Sequence, residues 1–233
     1  MRSPRVSTRP ARDSLRAVHD EVVACARCPR LVAWRREAAA TPPARFRGEQ
    51  YWARPVPGFG DPRARLLVAG LAPAAHGGNR TGRIFTGDRS GDWLFRALHK
   101  AGYANQAESV SADDGLALRD AYVAAIVRCA PPANKPLPAE RDNCIEYVIR
   151  ELHLLAQLKV IVALGSFAWD GVLRATAWPR GIAKPRFGHL SEATVGEWML
   201  IGSYHPSQQN TFTGTLTEPM FDAVFTRARA LTR

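Results

Sequence analysis

The stretch LLVAGLAPAAHGGNRTGRIFTGDRSGDWLFRAL, residues 66–98, joins a short apolar run to a long glycine-rich loop and then to a helix-like run. The apolar run is typical of a buried strand, and residues 93–98 favour a helix. Glycines in the loop let the backbone approach a ligand closely. Polar loops of this length on a rigid strand often carry binding or catalytic residues. The stretch therefore predicts an α/β unit with a site where its strand ends.

The chain has four short apolar runs of this kind, and helical patterns separate them. Strands that alternate with helices favour a parallel sheet with both faces covered. We therefore expect an α/β fold, a three-layer α/β/α domain with a central four-stranded parallel sheet. The strands are expected at residues 65–69, 121–127, 160–164 and 198–201, and the helices at 91–102, 138–155, 166–175 and 217–231.

Polar motifs follow three of the four predicted strands. GLAPAAHGGN begins at residue 70, RCAPPANKP spans residues 128–136, and SYHPSQQN spans residues 203–210. The remaining strand, residues 160–164, is followed by Gly165 and Ser166 rather than by a long polar motif. Because ligands bind outside the carboxyl ends of parallel strands, the three polar loops are expected to form one site.

The segments before the first strand predict helices, an ordered loop and a tail. Residues 13–40 favour a helix or a helix pair broken at Pro29, and residues 41–62 an ordered loop on the core. Residues 1–12 are expected to be a disordered basic tail, and residues 13–233 a single domain. No run reaches the ~18 apolar residues of a membrane span, and no secretory signal is recognised, so we expect a cytoplasmic protein without a membrane partner.

The chain is strongly basic. Its 233 residues include 32 Lys and Arg against 21 Asp and Glu, a formal net charge of +11, with 46% hydrophobic residues for a core. This excess favours a polyanionic partner, most simply nucleic acid. A genome that favours arginine would produce the same excess without a partner. A nucleotide hydrolase is a weaker hypothesis, because the glycine-rich loop lacks the GxxxxGK[ST] pattern.

The four cysteines, Cys25, Cys28, Cys129 and Cys144, form one CxxC pair and two single residues. Disulfides are disfavoured in an intracellular protein of this size. Four thiolates suit a tetrahedral zinc site and an iron–sulfur cluster equally well, and four buried thiols acting as small apolar groups are the alternative. A nucleic-acid-binding module that carries a metal but no catalytic site would also fit these features.

The glycine-rich loop GLAPAAHGGNRTGRIFTGD, the four cysteines, RCAPPANKPLP and SYHPSQQNTFTG together resemble the family 5 (type B) uracil-DNA glycosylases. The resemblance covers residues 25–220. It implies a four-stranded parallel sheet and a [4Fe–4S] cluster on the four cysteines. It also implies a monomeric, nucleoid-associated DNA-repair enzyme that flips uracil out of DNA and leaves an abasic site, with hypoxanthine as a further deaminated base.

The chemistry of this family gives expected roles to residues of the three loops. His205 is expected to stabilise the leaving base by donating to a pyrimidine O2. Phe85 is expected to stack on the flipped base, and Asn134 to bind its Watson–Crick edge and assist catalysis. Backbone contacts to the base are expected from Gly70, Leu71 and Ala72.

Hydrolysis also needs a group that activates water. Most relatives place a carboxylate or an amide shortly after the Pro of the first motif, whereas this chain has PAAH at residues 73–76. Asp88 is the best carboxylate in the loops and the expected catalytic residue; capping a helix is its alternative role. Asn79 and His76 are second candidates for holding the water. Phosphate contacts are expected from His76, Asn79, Arg80, Arg83 and Ser207, and a groove contact from residues 208–212.

Overall fold

The computed structural model describes residues 13–179 and 181–233, and the tail predicted for residues 1–12 lies outside them. The described chain forms one sheet from six strands, β1 (Phe59–Gly60), β2 (Leu66–Gly70), β3 (Ala121–Ala125), β4 (Val160–Leu164), β5 (Glu192–Val195) and β6 (Trp198–Ser203). Their order across the sheet is β1-β3-β2-β4-β6-β5. The four strands expected from the apolar runs are the inner ones, and neighbours among them are parallel.

The sheet has six strands rather than the predicted four, because a short antiparallel strand lies at each edge. β1 pairs with β3, and β5 pairs with β6. β1 has only two residues, and β5 is mostly exposed. Neither segment buries an apolar run, so hydrophobic patterning gave no signal for either strand. The predicted α/β class is confirmed.

The helices lie close to where the sequence predicts them. Those of the described residues are α1 (Leu15–Ala24), α2 (Pro29–Ala40), α3 (Gly78–Thr81), α4 (Arg89–Lys100), α5 (Pro138–Leu154), α6 (Ser166–Ala175), α7 (Gln208–Phe212) and α8 (Glu218–Thr232). Ser14 caps α1 and Pro29 begins α2, so residues 13–40 form a helix pair. Across the described residues, none of the helices has the combination of length and hydropathy that a bilayer crossing demands.

Alternate residues of the inner strands face opposite layers of helices. Leu66 and Val68 of β2 pack in the apolar cluster that contains residues of α4 and α8. Leu67 and Ala69 pack in the cluster that contains residues of α5 and α6. Because side chains alternate along a strand, both faces of β2 are buried, which gives the three-layer arrangement.

The strand order creates a crevice at the carboxyl edge of the sheet. The chain passes from β2 to β3 on one side and then crosses to β4 on the other, so Val68 lies in register with both Val123 and Val162. Loops leave such a switch point in opposite directions, and ligands bind in the crevice between them. The fold therefore places a site outside the carboxyl ends of β2, β4 and β6.

A buried ion pair joins the end of the β3 segment to α5. Arg128 and Glu151 are hydrogen-bonded to each other, and each side chain is 1% exposed. Tyr122 donates a further hydrogen bond to Glu151 at 3.4 Å. Gly58 leaves no room for a side chain, because a Cβ there would lie 2.7 Å from Glu151 Oε1. The carboxylate therefore neutralises a guanidinium that water does not reach.

Replacing Glu151 by Gln should lower the free energy of unfolding by about 3 kcal/mol, because Arg128 would stay buried without a counter-charge. The matched control is Glu146→Gln on the same helix, whose side chain and whose partner Arg27 are both about half exposed. That control should cost less than about 1 kcal/mol. Urea unfolding followed by circular dichroism measures both changes, and equal losses would contradict the role given to the buried pair.

Candidate active site

The loops after β2, β4 and β6 meet at the carboxyl edge of the sheet. Gly70 ends β2 against the ring of Phe85, since a Cβ on this glycine would lie 2.6 Å from Phe85 Cζ. The Phe85 and His205 rings have centroids 6.0 Å apart and planes tilted by 32°. A Cβ on Gly165, after β4, would lie 3.4 Å from His205 Cβ. The structure thus brings an aromatic ring and an imidazole together at the predicted edge.

His205 is held in the turn between β6 and α7. Its main-chain carbonyl accepts a hydrogen bond from Asn210 Nδ2 at 2.9 Å. Ser207 caps α7, with its Oγ accepting from Asn210 N at 3.4 Å. Burial lowers the pKa of His205 to about 4. The imidazole is therefore neutral at physiological pH, and one of its ring nitrogens carries a proton to donate.

Phe85 is fixed by the glycine-rich loop. Its φ of +53° lies in the left-handed region, which a non-glycine residue adopts at an energetic cost. Gly91 allows this turn, because a Cβ there would overlap the Phe85 carbonyl. Only 6% of Phe85 is exposed, so a base can reach only the small part of the ring that stays open.

Asp88 caps α4, which is the alternative role that the sequence gave it. Its Oδ1 accepts a hydrogen bond from Gly91 N at 3.0 Å. Its Oδ2 lies against Gly77, where a Cβ would collide with it. Burial raises the pKa of Asp88, and the nearby Asp92 carboxylate raises it further. One carboxylate oxygen therefore holds the helix, and the other faces the glycine-rich loop.

Two of the residues expected at DNA phosphates are buried instead. Asn79 is 1% exposed, and its Nδ2 donates to the carbonyls of Arg35 and Ala75. Arg83 is 4% exposed and pairs with Asp114 at 2.7 Å. Asn79 Nδ2 and the Arg83 guanidinium hold the loop together, whereas Asn79 Oδ1 has no hydrogen-bond partner among the described residues. Residue type alone did not predict this burial, and in this conformation the burial does not favour a phosphate contact from either side chain.

Arg80 and His76 also have internal partners. Arg80 donates to the His76 carbonyl at 2.8 Å and pairs with Glu49 at 2.6 Å. Its guanidinium covers the Phe46 ring, 4.2 Å from the ring centroid. His76 Nδ1 lies 3.0 Å from the hydroxyl of Tyr51, and burial lowers the pKa of His76. These contacts fix the loop around α3 and leave little of either side chain for DNA.

The remaining predicted residues lie at the end of β2 and in the loops after β2, β3 and β6. Asn134 is exposed on a 3₁₀ turn after β3, with φ of +55°. The carbonyls of Gly70 and Leu71 accept hydrogen bonds of 2.9 and 3.0 Å from the segment that follows β3. Ala72 packs against the cluster that contains three cysteines, and Ser207 is partly exposed. No contact in the structure tests the ligand roles predicted for these residues.

The four cysteines lie where α1, α2, α5 and the loop after β3 meet. All four are free thiols. Cys28, Cys129 and Cys144 share one buried apolar cluster, and the half-buried Cys25 packs beside Tyr147. Burial raises the pKa of Cys129 to about 12 and that of Cys144 to about 11. The thiols thus surround one region rather than lying scattered through the core.

Buried guanidinium nitrogens beside these thiols lack acceptors. Arg35 Nη1 donates to Cys129 Sγ at 3.0 Å, and Arg128 lies close to Cys144. Nε of Arg35 and Nε and Nη1 of Arg128 have no partner among the described residues. An anionic iron–sulfur cluster would supply both charge and acceptors, so the residues fit one. In residues 13–179 and 181–233, no group of three or more His, Cys, Asp or Glu is arranged to hold a single metal ion.

Arg35 was missed by the sequence analysis, although a signal for it existed. It is 5% exposed and lies on the buried face of α2, at helical spacing from Leu31 and Ala38. A charged residue on the apolar face of a helix needs a buried partner. That partner is a thiol from a distant part of the chain, which spacing alone does not reveal.

Comparison with known proteins agrees with this geometry. The sequence profile of the Uracil DNA glycosylase superfamily matches residues 57–229. The type-5 uracil-DNA glycosylase of Mycobacterium bovis is 53% identical over 209 residues, which cover 89% of this chain and 78% of the relative. Those of Thermus thermophilus and Pyrobaculum aerophilum are 52% and 44% identical, covering 90% and 91% of this chain and 94% and 90% of theirs. The chain therefore belongs to the uracil-DNA glycosylase superfamily and, within it, to the type-5 enzymes that its motifs resemble.

Proposed function

We propose that this protein removes uracil from DNA by hydrolysing the N-glycosyl bond, which leaves an abasic site. The observation that carries the proposal is the Phe85 ring beside a neutral His205 imidazole at the carboxyl edge of the sheet, in a chain of this superfamily. Its relatives over most of the chain are named uracil-DNA glycosylases. Residues 13–233 would act as a single domain and a monomer, since one chain supplies every residue with an assigned role.

The target base must leave the stack, because the reacting sugar carbon is shielded in a duplex. Phe85 offers the flipped base an aromatic surface, and such stacking is worth about 1–3 kcal/mol. Asn134 offers an amide donor and acceptor to the Watson–Crick edge. Uracil and hypoxanthine both present a ring N–H beside a carbonyl, which one amide can pair with. Hypoxanthine is therefore included as a second substrate.

His205 would stabilise the departing base. Negative charge collects on the base oxygens as the N-glycosyl bond breaks, and a neutral imidazole N–H can donate to O2 of uracil. One such preorganised donor is worth about 3 kcal/mol. Since the pKa of His205 is lowered to about 4, the ring serves as a neutral donor without first taking up a proton.

Asp88 would orient the attacking water and accept its proton. Of the other candidates for this role, His76 is held by Tyr51, and Asn79 is 1% exposed with its Nδ2 already donating to two carbonyls. Asp88 Oδ1 is fixed by Gly91 N, which leaves Oδ2 as the oxygen for water. Capping and water activation are compatible because they use different oxygens of one carboxylate.

The short helix α7 would contact the DNA next to the flipped base. It follows His205 directly, and its last residue, Phe212, is 67% exposed. The Arg89 guanidinium lies over the Phe212 ring, 4.4 Å from the ring centroid. Residues 208–212 would enter the groove as a wedge where the base has left, and the Ser207 hydroxyl would contact a phosphate.

The four cysteines are proposed to hold a [4Fe–4S] cluster. When bound, the cluster would supply a rigid cross-link between the N-terminal helices, the loop after β3 and α5, together with a local negative charge. Arg35 and Arg128 face that region with nitrogens that lack acceptors in the described chain. The cysteines have no assigned part in base excision, and they would hold α2 against the loop that carries the site.

A duplex with one uracil should be cut at that position after treatment with the protein and then with alkali, and a duplex with one hypoxanthine should also be cut. His205→Ala should lower the single-turnover rate about 100-fold, because one preorganised donor is lost. His99→Ala, at an exposed position on α4, is the control and should keep the rate. A wild-type protein that binds every duplex tightly and cuts none would be a binding module.

Asp88→Asn should separate the two roles of this residue. Asn caps a helix about as well as Asp, so the melting temperature should hold. The excision rate should fall about 100-fold or more, since Asn does not take a proton from water. Asp170→Asn removes the same charge from an exposed position on α6 and should leave the rate nearly unchanged. A near-normal rate in Asp88→Asn would leave this residue only the helix cap.

Cys144→Ser should abolish a brown colour in the purified protein and its absorbance near ~400 nm, because one of four cluster ligands is lost. Iron analysis of the wild type should give about four atoms per chain. The variant should also melt at a lower temperature, since metal ligation contributes folding energy. A colourless wild type that contains one zinc per chain would contradict the cluster.

A further inference from the structure

The segment before β1 carries arginine and aromatic side chains that the proposed reaction does not use. Residues 44–54, ARFRGEQYWAR, alternate these types, and the exposed Arg36 of α2 lines a cleft with them. The basic–aromatic ridge is defined here as Arg36, Arg45, Arg47, Tyr51, Trp52 and Arg54.

The ridge is fixed to the loop that carries the candidate site. Trp52 N donates to the Arg80 carbonyl at 2.9 Å, and Ala53 N donates to the Asn79 carbonyl at 3.0 Å. Gly82 makes room for the indole ring, since a Cβ there would lie 3.1 Å from Trp52 Cδ2. Arg80 and Asn79 belong to α3, in the loop between β2 and Phe85. The ridge is therefore continuous with the proposed active-site loop.

Trp52 and Arg54 line two open clefts. One has a volume of about 520 Å³ and is also lined by Arg36. The other has a volume of about 340 Å³ and is also lined by Tyr51 and Gln50. Trp52 is half-buried, and the Arg54 guanidinium lies 5.6 Å from the centroid of its ring. An anchored indole with a cation beside it can stack on a flat, anionic ligand.

The arginines of the ridge are available for such a ligand. Arg36, Arg45, Arg47 and Arg54 are exposed, and none of them pairs with a carboxylate in the described part of the chain. Two of the nearby carboxylates are engaged elsewhere, Glu49 with Arg80 and Asp20 with Arg16. The ridge thus presents uncompensated positive charge, whereas the guanidinium groups of Arg80 and Arg83 are paired.

We propose that the basic–aromatic ridge binds an unpaired stretch of the DNA strand, with a base stacked on Trp52 and phosphates at Arg36 and Arg54. The inference rests on the proposed function, because it takes the strand that enters the active site as its ligand. A single strand fits better than a duplex, since the bases of a duplex stack on one another and leave no face for an indole. Aromatic platforms among cationic side chains are the usual means of holding single strands.

The test measures binding of fluorescein-labelled thymidine 15-mers without uracil, alone and annealed to a complementary strand, by anisotropy at several salt concentrations. Trp52→Ala should weaken single-strand binding about tenfold, and Trp52→Phe should restore most of it, because stacking needs only an aromatic face. The double variant Arg36→Ala/Arg54→Ala should reduce the slope of log K against log salt by about 1.4, since each phosphate contact contributes about 0.7 for a single strand.

The controls lie at the opposite edge of the sheet. Arg63→Ala and Arg119→Ala remove exposed arginines before β2 and β3 and should leave single-strand binding unchanged. Duplex binding should change less than about twofold in Trp52→Ala. Unchanged single-strand binding in the ridge variants, or an equal loss for both forms of DNA, would overturn the proposal. If Trp52→Ala fails to fold, the arginine double variant decides, because both side chains are exposed.

A parallel uracil-excision assay on the wild type separates this inference from the proposed function. If single strands bind through the ridge but no uracil is excised, the proposed glycosylase activity is contradicted and the proposed single-strand binding is not. If uracil is excised but the ridge variants bind single strands as the wild type does, the proposed single-strand binding is contradicted and the proposed glycosylase activity is not.

Discussion

The burial of two guanidinium groups is the constraint on which the arrangement of this protein depends. Arg35 and Arg128 are 5% and 1% exposed, and a buried charge is tolerated only beside groups that neutralise and hydrogen-bond it. Arg128 is neutralised by Glu151, whereas Arg35 donates a hydrogen bond to the Cys129 thiol, which is uncharged because burial raises its pKa. Because Asn79 donates to the Arg35 carbonyl, the same residue links the cysteine region to the loop of the candidate site. Glu151 supplies one negative charge for these two guanidinium groups, and a cluster held by four thiolates would supply more.

The glycines of the first loop make room for side chains and backbone of the loop itself. Sequence reasoning assigns them to close contact with a ligand. In the structure, Gly70 makes room for the Phe85 ring, Gly77 for the Asp88 carboxylate and Gly91 for the Phe85 carbonyl. These glycines let the loop pack its own functional side chains tightly, which holds the ring and the carboxylate in place before any substrate arrives. Such preorganisation is what a site for charge stabilisation needs.

The sequence predicted the inner sheet well, because four buried strands leave uninterrupted apolar runs such as Val160–Leu164. It did not predict the edge strands, which bury little. The loop motifs identified the edge of the sheet at which His205 and Phe85 meet, since parallel strands align their carboxyl ends. The burial of Asn79 and Arg83 was not predicted, for a physical reason. Whether a polar side chain faces solvent depends on partners distant in the chain, here Arg35 and Asp114.

The contacts of individual arginines decide which of them, within a net charge of +11, are free to bind an anion. Counting arginines treats all of them as contacts for an anion, but a guanidinium that already holds a carboxylate or several carbonyls has little left to offer. Arg80 and Arg83, in the motif-bearing loop, are of this paired kind. Arg36 and Arg54, outside every recognised motif, are exposed beside a half-buried indole. The residues of the recognised motifs thus build the site. Arginines outside those motifs, such as Arg36 and Arg54, form a positive surface along which a DNA strand would run.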